Sequence, residues 1–258
     1  MTSNLSLIVP SAFCSGDQAT SFLVNLCTYD HLLGDIIVVD FKSSSEFLDI
    51  ISKHSKVNIL QQSESTGIYG AWQLGLAKIT STHVCFAGID DCLNPLFISA
   101  FLQSDGKDTT TTIYYGDKVL IKDDKHILVR SPKVSSLAHY SFVSCDVPIP
   151  GLIFPRFPPS YIDLRFQLAA DMNLLLLLLR QRNFNLSYLH FVQVNQNFDG
   201  LSNSFKSVPI YLREWRLIEY LHSVKINYFT KLYFYFMILS KRFYLFNFFK
   251  RIKRHVLC

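Results

Sequence analysis

Apolar positions fall in short runs that recur at a regular interval through the first ninety residues. Leu5 to Val9 is an apolar run closed by Pro10, and Asp35 to Asp40 (DIIVVD) is a second run, β-branched and ending in an acid. Unbroken runs of this length read as strands buried on both faces, the pattern of a parallel sheet. Between them, residues 18–29 place Phe22, Leu23 and Leu26 at helical spacing, and residues 45–53 repeat that spacing after the second run. The unit then recurs. Val57 to Leu60 is a third strand, Ile68 to Ile79 a helix following Gly67, and His83 to Ala87 a fourth strand running toward Asp90-Asp91. Such β-α-β-α alternation predicts an α/β fold, a Rossmann-like, doubly wound and mostly parallel sheet.

The later pattern is less regular. Asn94-Pro95 opens a helix over 96–103 that Asp105-Gly106 breaks, and Thr111 to Tyr115 with Val119 to Lys122 read as a hairpin joined by Gly116-Asp117-Lys118. Residues 131–160 are irregular and Pro-rich. Phe166 to Arg182 is apolar on all sides, with six leucines at 174–179, and predicts a buried helix because its uncharged run is far below the ~18 residues of a spanning one. Val208 to His222 is amphipathic. Beyond it, Lys231 and Lys241-Arg242 cut an aromatic tail into pieces too short to cross a bilayer.

Composition narrows the class. With 49% hydrophobic and 17% charged residues the chain is too apolar for disorder, and a single substantial core is expected. The net charge of +5 conceals an asymmetry: residues 220–258 carry eight Lys/Arg and no acid, leaving 17 Lys/Arg against 20 Asp/Glu in residues 1–219. The tail also holds 12 of the 37 aromatic residues. The chain therefore divides into a body at 1–219 and a basic, aromatic, helical tail at 220–258 whose natural partner is an anionic membrane surface. Nucleic acid is the poorer fit, because the basic residues are interleaved with large apolar groups and the body is acidic. With no basic-then-apolar leader at the N-terminus, the expected location is cytoplasmic, peripheral at the inner face of the cell membrane. Cysteines at 14, 27, 85, 92, 145 and 258 form no Cys-x-x-Cys pair and read as reduced thiols, mostly buried. The eight histidines show no i, i+4 ligand pair.

Three acidic positions stand out. Asp40 ends the second strand, where a carboxylate either receives a hydrogen bond from a base or ribose or caps the following helix near Ser43. Asp90 and Asp91 follow the fourth strand in a turn expected to lie outside the core, where both either face one cation, hard oxygens suiting Mg²⁺ or Mn²⁺, or only solvate an exposed turn. Asp171 begins the leucine-rich helix, as a helix cap or as a general base.

In order along the chain, LSLIVPS (5–11), IIVVDFKSS (36–44), TGIYGAWQLGLAKITSTHVCFAGIDD (66–91), YYGD (114–117), PIPGLIFPR (148–156), FQLAAD (166–171) and FDGLSN (198–203) resemble family 2 glycosyltransferases of the GT-A fold. The likeness is to the bacterial branch that builds surface polysaccharides of the O-antigen type. It implies that Pro10, Ser11, Asp40, Gly67, Gln73 and Asp90 line a nucleotide-sugar site, with Asp40 on the base. It implies also that Asp90 and Asp91 hold Mg²⁺ or Mn²⁺ against the diphosphate, and that Asp171 is the base of an inverting transfer. Gly67 is expected to be a place with no room for a side chain. The donor favoured is a UDP-sugar, and the acceptor a glycan or lipid-linked oligosaccharide. Departures from the family pattern strip polar groups from the pocket: Ser65 and Gly70 stand where the family has acids, Gln73 for Asn, Leu74 for Lys, Ile149 for His, Met172-Asn173 for Tyr-Glu, and Leu177 for Arg. They leave open a second reading, a weak or inactive relative that binds a sugar nucleotide, a glycan or a partner transferase.

Overall fold

Side-chain oxygens mark where two of the predicted helices begin. In the computed structural model, which describes residues 4–64, 66–104, 111–122, 125–133, 147, 149–181, 183–197, 208–226 and 232, four strands alternate with three helices as the pattern predicts. They are β1 (Leu5–Ala12), α1 (Gly16–Leu26), β2 (Ile36–Phe41), α2 (Ser45–Ser52), β3 (Val57–Gln61), α3 (Gly67–Leu76) and β4 (His83–Phe86). Ser44 caps α2 by accepting from Phe47 N at 3.1 Å. Asn94 does the same for α4 (Pro95–Gln103), accepting from Leu96 N at 2.9 Å with Pro95 in the first turn, where its missing N–H costs nothing.

The remaining strands are β5 (Cys92–Leu93), β6 (Thr112–Lys122), β7 (Lys125–Val129), β8 (Ile153–Pro155) and β9 (Asn185–Asn197). All join one sheet in the order β3-β2-β1-β4-β8-β6-β9-β5, with β7 on the side of β6. The first four strands are parallel, β8 runs antiparallel between β4 and β6, and β6 and β9 are again parallel. Strand alternation divides the core in two. Leu7, Val9 and Val38 pack with Phe22, Phe47 and Phe97 of α1, α2 and α4 on one face. Ile8, Ile37 and Val39 pack on the other with Trp72 of α3 and two later helices, α5 (Ala170–Gln181) and α6 (Val208–His222). Each fully buried aliphatic side chain contributes about 1.5–3 kcal/mol, and the cores on both faces make the sheet doubly wound.

Three expectations are corrected. The hairpin with its turn at residues 116–118 does not form: β6 runs unbroken through them, because Gly116 N donates to the Gln193 side chain of β9 at 2.7 Å and the pairing absorbs an irregularity there. A Cβ at Gly116 would strike the Phe191 carbonyl, so the glycine serves close strand approach and not a turn. The leucine helix begins at Ala170, four residues later than Phe166. The division at 219/220 falls inside α6, and the body continues to Ile226, which is 3% exposed and whose N–H donates to Glu219 Oε1 at 2.8 Å. Among the described residues Cys14 and Cys85 are buried, Cys92 is half-buried and Cys27 exposed, all as free thiols. Among the described residues, too, no helix is long and apolar enough to cross a membrane. The tail beyond 226, apart from Leu232, and the segment 198–203 lie outside them.

Candidate functional site

Parallel strands β1, β2, β3 and β4 end at one edge, and the register sets Ser11 beside Asp40 and Asp40 beside Gln61. Asp40 is fully buried. Its Oδ1 accepts from Ser11 Oγ at 2.8 Å and its Oδ2 from Ser43 N at 3.2 Å. The cap of α2 is Ser44, so Asp40 is held at the strand end by the loop and is not itself the cap. The loops after β1 and β2 are zipped together by Phe13 N to Phe41 O, Ser44 N to Cys14 O and Cys14 N to Ser43 Oγ, at 3.0–3.1 Å. Pro10 stands opposite Val39 one step back.

Phe13 carries no signal in the hydrophobic pattern. It is 71% exposed, its φ is +55°, and it meets Phe41 edge-on at 5.5 Å between centroids. Lys42, at φ +58°, lays its ammonium over the same Phe41 ring at 5.1 Å. Two left-handed non-glycine residues on adjoining loops of one strand edge store roughly 1 kcal/mol or more each, and such strain concentrates at ligand sites.

After β4 the chain turns back through Gly88. Asp91 is buried, its Oδ2 accepting from Gly88 N at 2.7 Å, whereas Asp90 is exposed. This corrects the picture of two acids outside the core. A Cβ on Gly88 would meet Asp90 Oδ1 at 3.0 Å and Asp91 Oδ2 at 3.1 Å, so both carboxylates close over one Cα. Burial pushes Asp91 up to about 7, with the Gly88 N–H and Lys118 pulling it down and Asp90 adding to the rise. Among the described residues no group of three or more His, Cys, Asp or Glu side chains converges. Two hard carboxylates nevertheless fit Mg²⁺ or Mn²⁺, since Mg²⁺ is commonly held by one or two carboxylates together with substrate phosphates and water.

Helix α3 explains several departures from the family pattern. Gly67 has φ +70°, and a Cβ added there would meet nothing within 4 Å, so the expected crowding is absent; the glycine is required by its backbone angle. Gly70 is required by space. A Cβ there would collide with Thr66 Oγ1, which accepts from Gln62 Nε2, so this pair occupies the place of the family's acid. Gln73 Nε2 donates to Ile162 O at 2.7 Å and ties α3 to the turn at Pro159–Tyr161. Ile149 packs on the apolar core. Ser65 lies outside the described residues.

Asp171 sits half-buried in the first turn of α5. Its Oδ1 accepts from Met172 N at 2.7 Å, and the hydroxyl of Tyr69, half a turn past Gly67 on α3, hydrogen-bonds the same carboxyl. Burial pushes it up to about 6, the Met172 N–H and Tyr69 hydroxyl acting against that and the charge of Glu214 adding to it. The amides preceding α5 are taken by Glu214, not by Asp171, which leaves the cap role to Glu214. Asn173 accepts from His222 Nε2 at 2.8 Å, and Arg180 is on the surface. The structure thus joins Ser11 to Asp40, Asp90 to Asp91 and Tyr69 to Asp171, and it commits the Gln73 amide N–H to the body of the fold.

Against known proteins, a model described as glycosyl transferase family 2 matches residues 6–138, just over half of the chain. Among solved structures the fold is similar to S. aureus TarS 1-349 in complex with UDP, with TM-score 0.59 and 15% identity over 93% of this chain and 71% of that one. It is similar also to the same protein in complex with UDP-GlcNAc, with TM-score 0.60 and 16% identity over 93% and 72%. TarS 1-349 without a named ligand gives 0.58 and 17% over 93% and 71%. The comparison with curated proteins yields no match. The fold, the strand-edge acids and the family pattern over the first half agree: the chain belongs to glycosyl transferase family 2 and is a glycosyltransferase.

Proposed function

We propose that the protein transfers a sugar with inversion from a nucleotide-sugar donor, a UDP-sugar in the first instance, to a hydroxyl of a glycan or lipid-linked oligosaccharide in surface polysaccharide synthesis. Asp40, buried behind Ser11 and Ser43, fixes the strand end at which the base is received, and the exposed ring of Phe13 offers the base a flat face beside Ser11 and Pro10. Gly67 brings the start of α3 to the donor side. Asp90 and Asp91 would hold Mg²⁺ or Mn²⁺, which when bound offsets the negative charge developing on the leaving diphosphate. Asp171 takes the proton of the acceptor hydroxyl as that oxygen attacks the anomeric carbon; the C–O bond to the diphosphate breaks and the nucleotide diphosphate leaves. UDP is supported by the complexes of TarS 1-349 with UDP and UDP-GlcNAc, whose fold this chain shares.

The observation that carries this reading is the environment of Asp171. A carboxyl lifted to about 6 is ionised at neutral pH yet basic enough to assist proton removal, and Tyr69 orients it. That environment favours a working enzyme over the inactive relative. Asp171→Asn should lower turnover by roughly 10² to 10⁴ while UDP binding persists, measured by UDP release across a panel of UDP-sugars beside a UDP titration. Turnover close to wild type in Asp171→Asn would remove the base assignment.

A further inference from the structure

Glu214 is a buried charge that the proposed reaction does not use. It lies on α6 and is 2% exposed, with its carboxylate turned onto three successive backbone N–H groups. Gln167 N donates to Oε1 at 2.7 Å, and Leu168 N and Ala169 N donate to Oε2 at 3.0 and 2.9 Å. Among the described residues the cation in ion-pair range is Arg213, 4.0 Å away and itself 68% exposed. The charge is therefore balanced mainly by peptide dipoles, three amides gathered on one anion just ahead of a helix N-terminus.

Such an arrangement is expensive unless every bond is made, because a buried carboxylate loses its hydration and unbonded amides lose theirs. A serine cap would start a helix without burying a charge. Here the three amides lead directly into the candidate site: Ala170 opens α5 and Asp171 is the next residue. Gln167 is 47 residues from Glu214 in sequence, which is why spacing alone does not show the link.

We infer that Glu214 is a positioning residue for Asp171, fixing the approach to α5 so that the Asp171 carboxyl meets Tyr69 and stays poised to accept a proton. This rests on the reading of Asp171 as the base. Glu214 acts through geometry and through charge. The groups facing the Asp171 carboxyl are the Tyr69 hydroxyl from α3, the Met172 N–H from its own helix and the Glu214 carboxylate from α6, with Tyr211 of α6 beyond Tyr69. Removing the negative neighbour and letting water reach Asp171 as the loop loosens both move its titration to lower pH, while a lost Tyr69 hydrogen bond moves it up; burial is the largest influence on this carboxyl, so the net movement is downward.

The test uses the full-length protein and Glu214→Gln, which keeps the shape but turns an amide donor toward the backbone donors. Three quantities are read: titration of the Asp171 carboxyl by NMR, identified by its loss in Asp171→Asn; hydrogen exchange at amides 167–169; and turnover on the UDP-sugar panel with UDP affinity alongside. The expected result is a titration lowered by roughly half a pH unit or more, faster exchange at 167–169, and turnover reduced roughly tenfold to hundredfold. UDP affinity should stay within about twofold. Glu214→Asp keeps the charge on a shorter arm and should recover part of the turnover.

Folded Glu214→Gln with wild-type titration and turnover would overturn the inference. Should Glu214→Gln fail to fold, Glu214→Asp is read against the same criteria, and failure of both to fold overturns it in favour of a purely structural cap. Normal turnover in Asp171→Asn would sink the base reading instead. The two failures are distinct, because titration and exchange report whether Glu214 holds that carboxyl whatever its part in the reaction.

Discussion

A carboxyl raised to about 6 in the folded protein from an ordinary 3.8 has two measurable consequences at Asp171. As a base it must be ionised, so turnover should rise with pH through about 6 and level off above it. The sign for stability is opposite. The folded state binds this proton more tightly than the unfolded chain, so the stabilisation present below the ordinary value is lost as pH rises through the folded one. Between about pH 4 and pH 6 this group therefore lowers stability with rising pH. At pH 7.5 the ionised, half-buried carboxylate costs on the order of 2 kcal/mol. Asp171→Asn should remove most of that cost, raising the melting temperature at about pH 7.5 and not at about pH 4 while turnover is lost. A melting temperature equally changed at both pH values would place the effect elsewhere than in titration. Phe13 belongs to the same scale. It contributes little to the core, so Phe13→Ala should leave stability within about 0.5 kcal/mol, as surface changes usually do. It should weaken UDP binding several-fold, read by calorimetric titration.

At the scale of elements, the two glycines of α3 make opposite predictions about substitution. Gly67→Ala meets open space but forces an L-residue to φ +70°, a cost of about 1–2 kcal/mol. Gly70→Ala has an ordinary helical position but drives a methyl into Thr66, so Thr66 and its bond from Gln62 must shift. Because that methyl would meet the Thr66 Cβ as well as its Oγ1, Thr66→Gly and not Thr66→Ala should offset part of the Gly70→Ala loss, and it should leave Gly67→Ala unimproved in urea unfolding. The parallel half of the sheet is legible in the sequence because its strands are apolar runs between turn signals and its helices keep a regular apolar spacing. The second half is not. β9 mixes Gln193, Asn195 and Gln196 with Val192 and Val194, and one of those polar groups, Gln193, is fully buried because it satisfies Gly116 N and Pro150 O. A buried amide that bonds backbone across strands looks like loop composition when read along the chain. For the same reason the site is legible in its acids but not in their partners: Asp40, Asp91 and Asp171 are visible as strand-end or helix-start carboxylates. Their holders Ser43, Gly88, Tyr69 and Glu214 depend on which strands and helices pack together.

For the whole molecule, the boundary of the folded body decides what the basic tail can do. Val224 and Ile226 pack against the core beneath α6, and Ile226 N bonds Glu219, so a truncation at Lys225 would cut into the body. Deleting 227–258 instead removes seven Lys/Arg, no acid and most of the tail's aromatic residues while sparing every described contact of α6. Each of those basic residues is worth about 1 kcal/mol near an anionic bilayer, with aromatic burial adding to it. Full-length protein should co-sediment with vesicles containing phosphatidylserine and far less with phosphatidylcholine alone. High salt should weaken that binding, because the attraction reaches only about a Debye length, roughly 8 Å at physiological ionic strength, without eliminating its apolar part. The 227–258 deletion should stay in the supernatant with an unchanged melting temperature and unchanged UDP affinity. Its turnover on a soluble acceptor should be normal and on a lipid-linked acceptor in vesicles reduced, since the loss is one of delivery and not of chemistry. Equal sedimentation of the two proteins would show that the membrane is met through another surface. A fall in melting temperature would make the tail a packed part of the body.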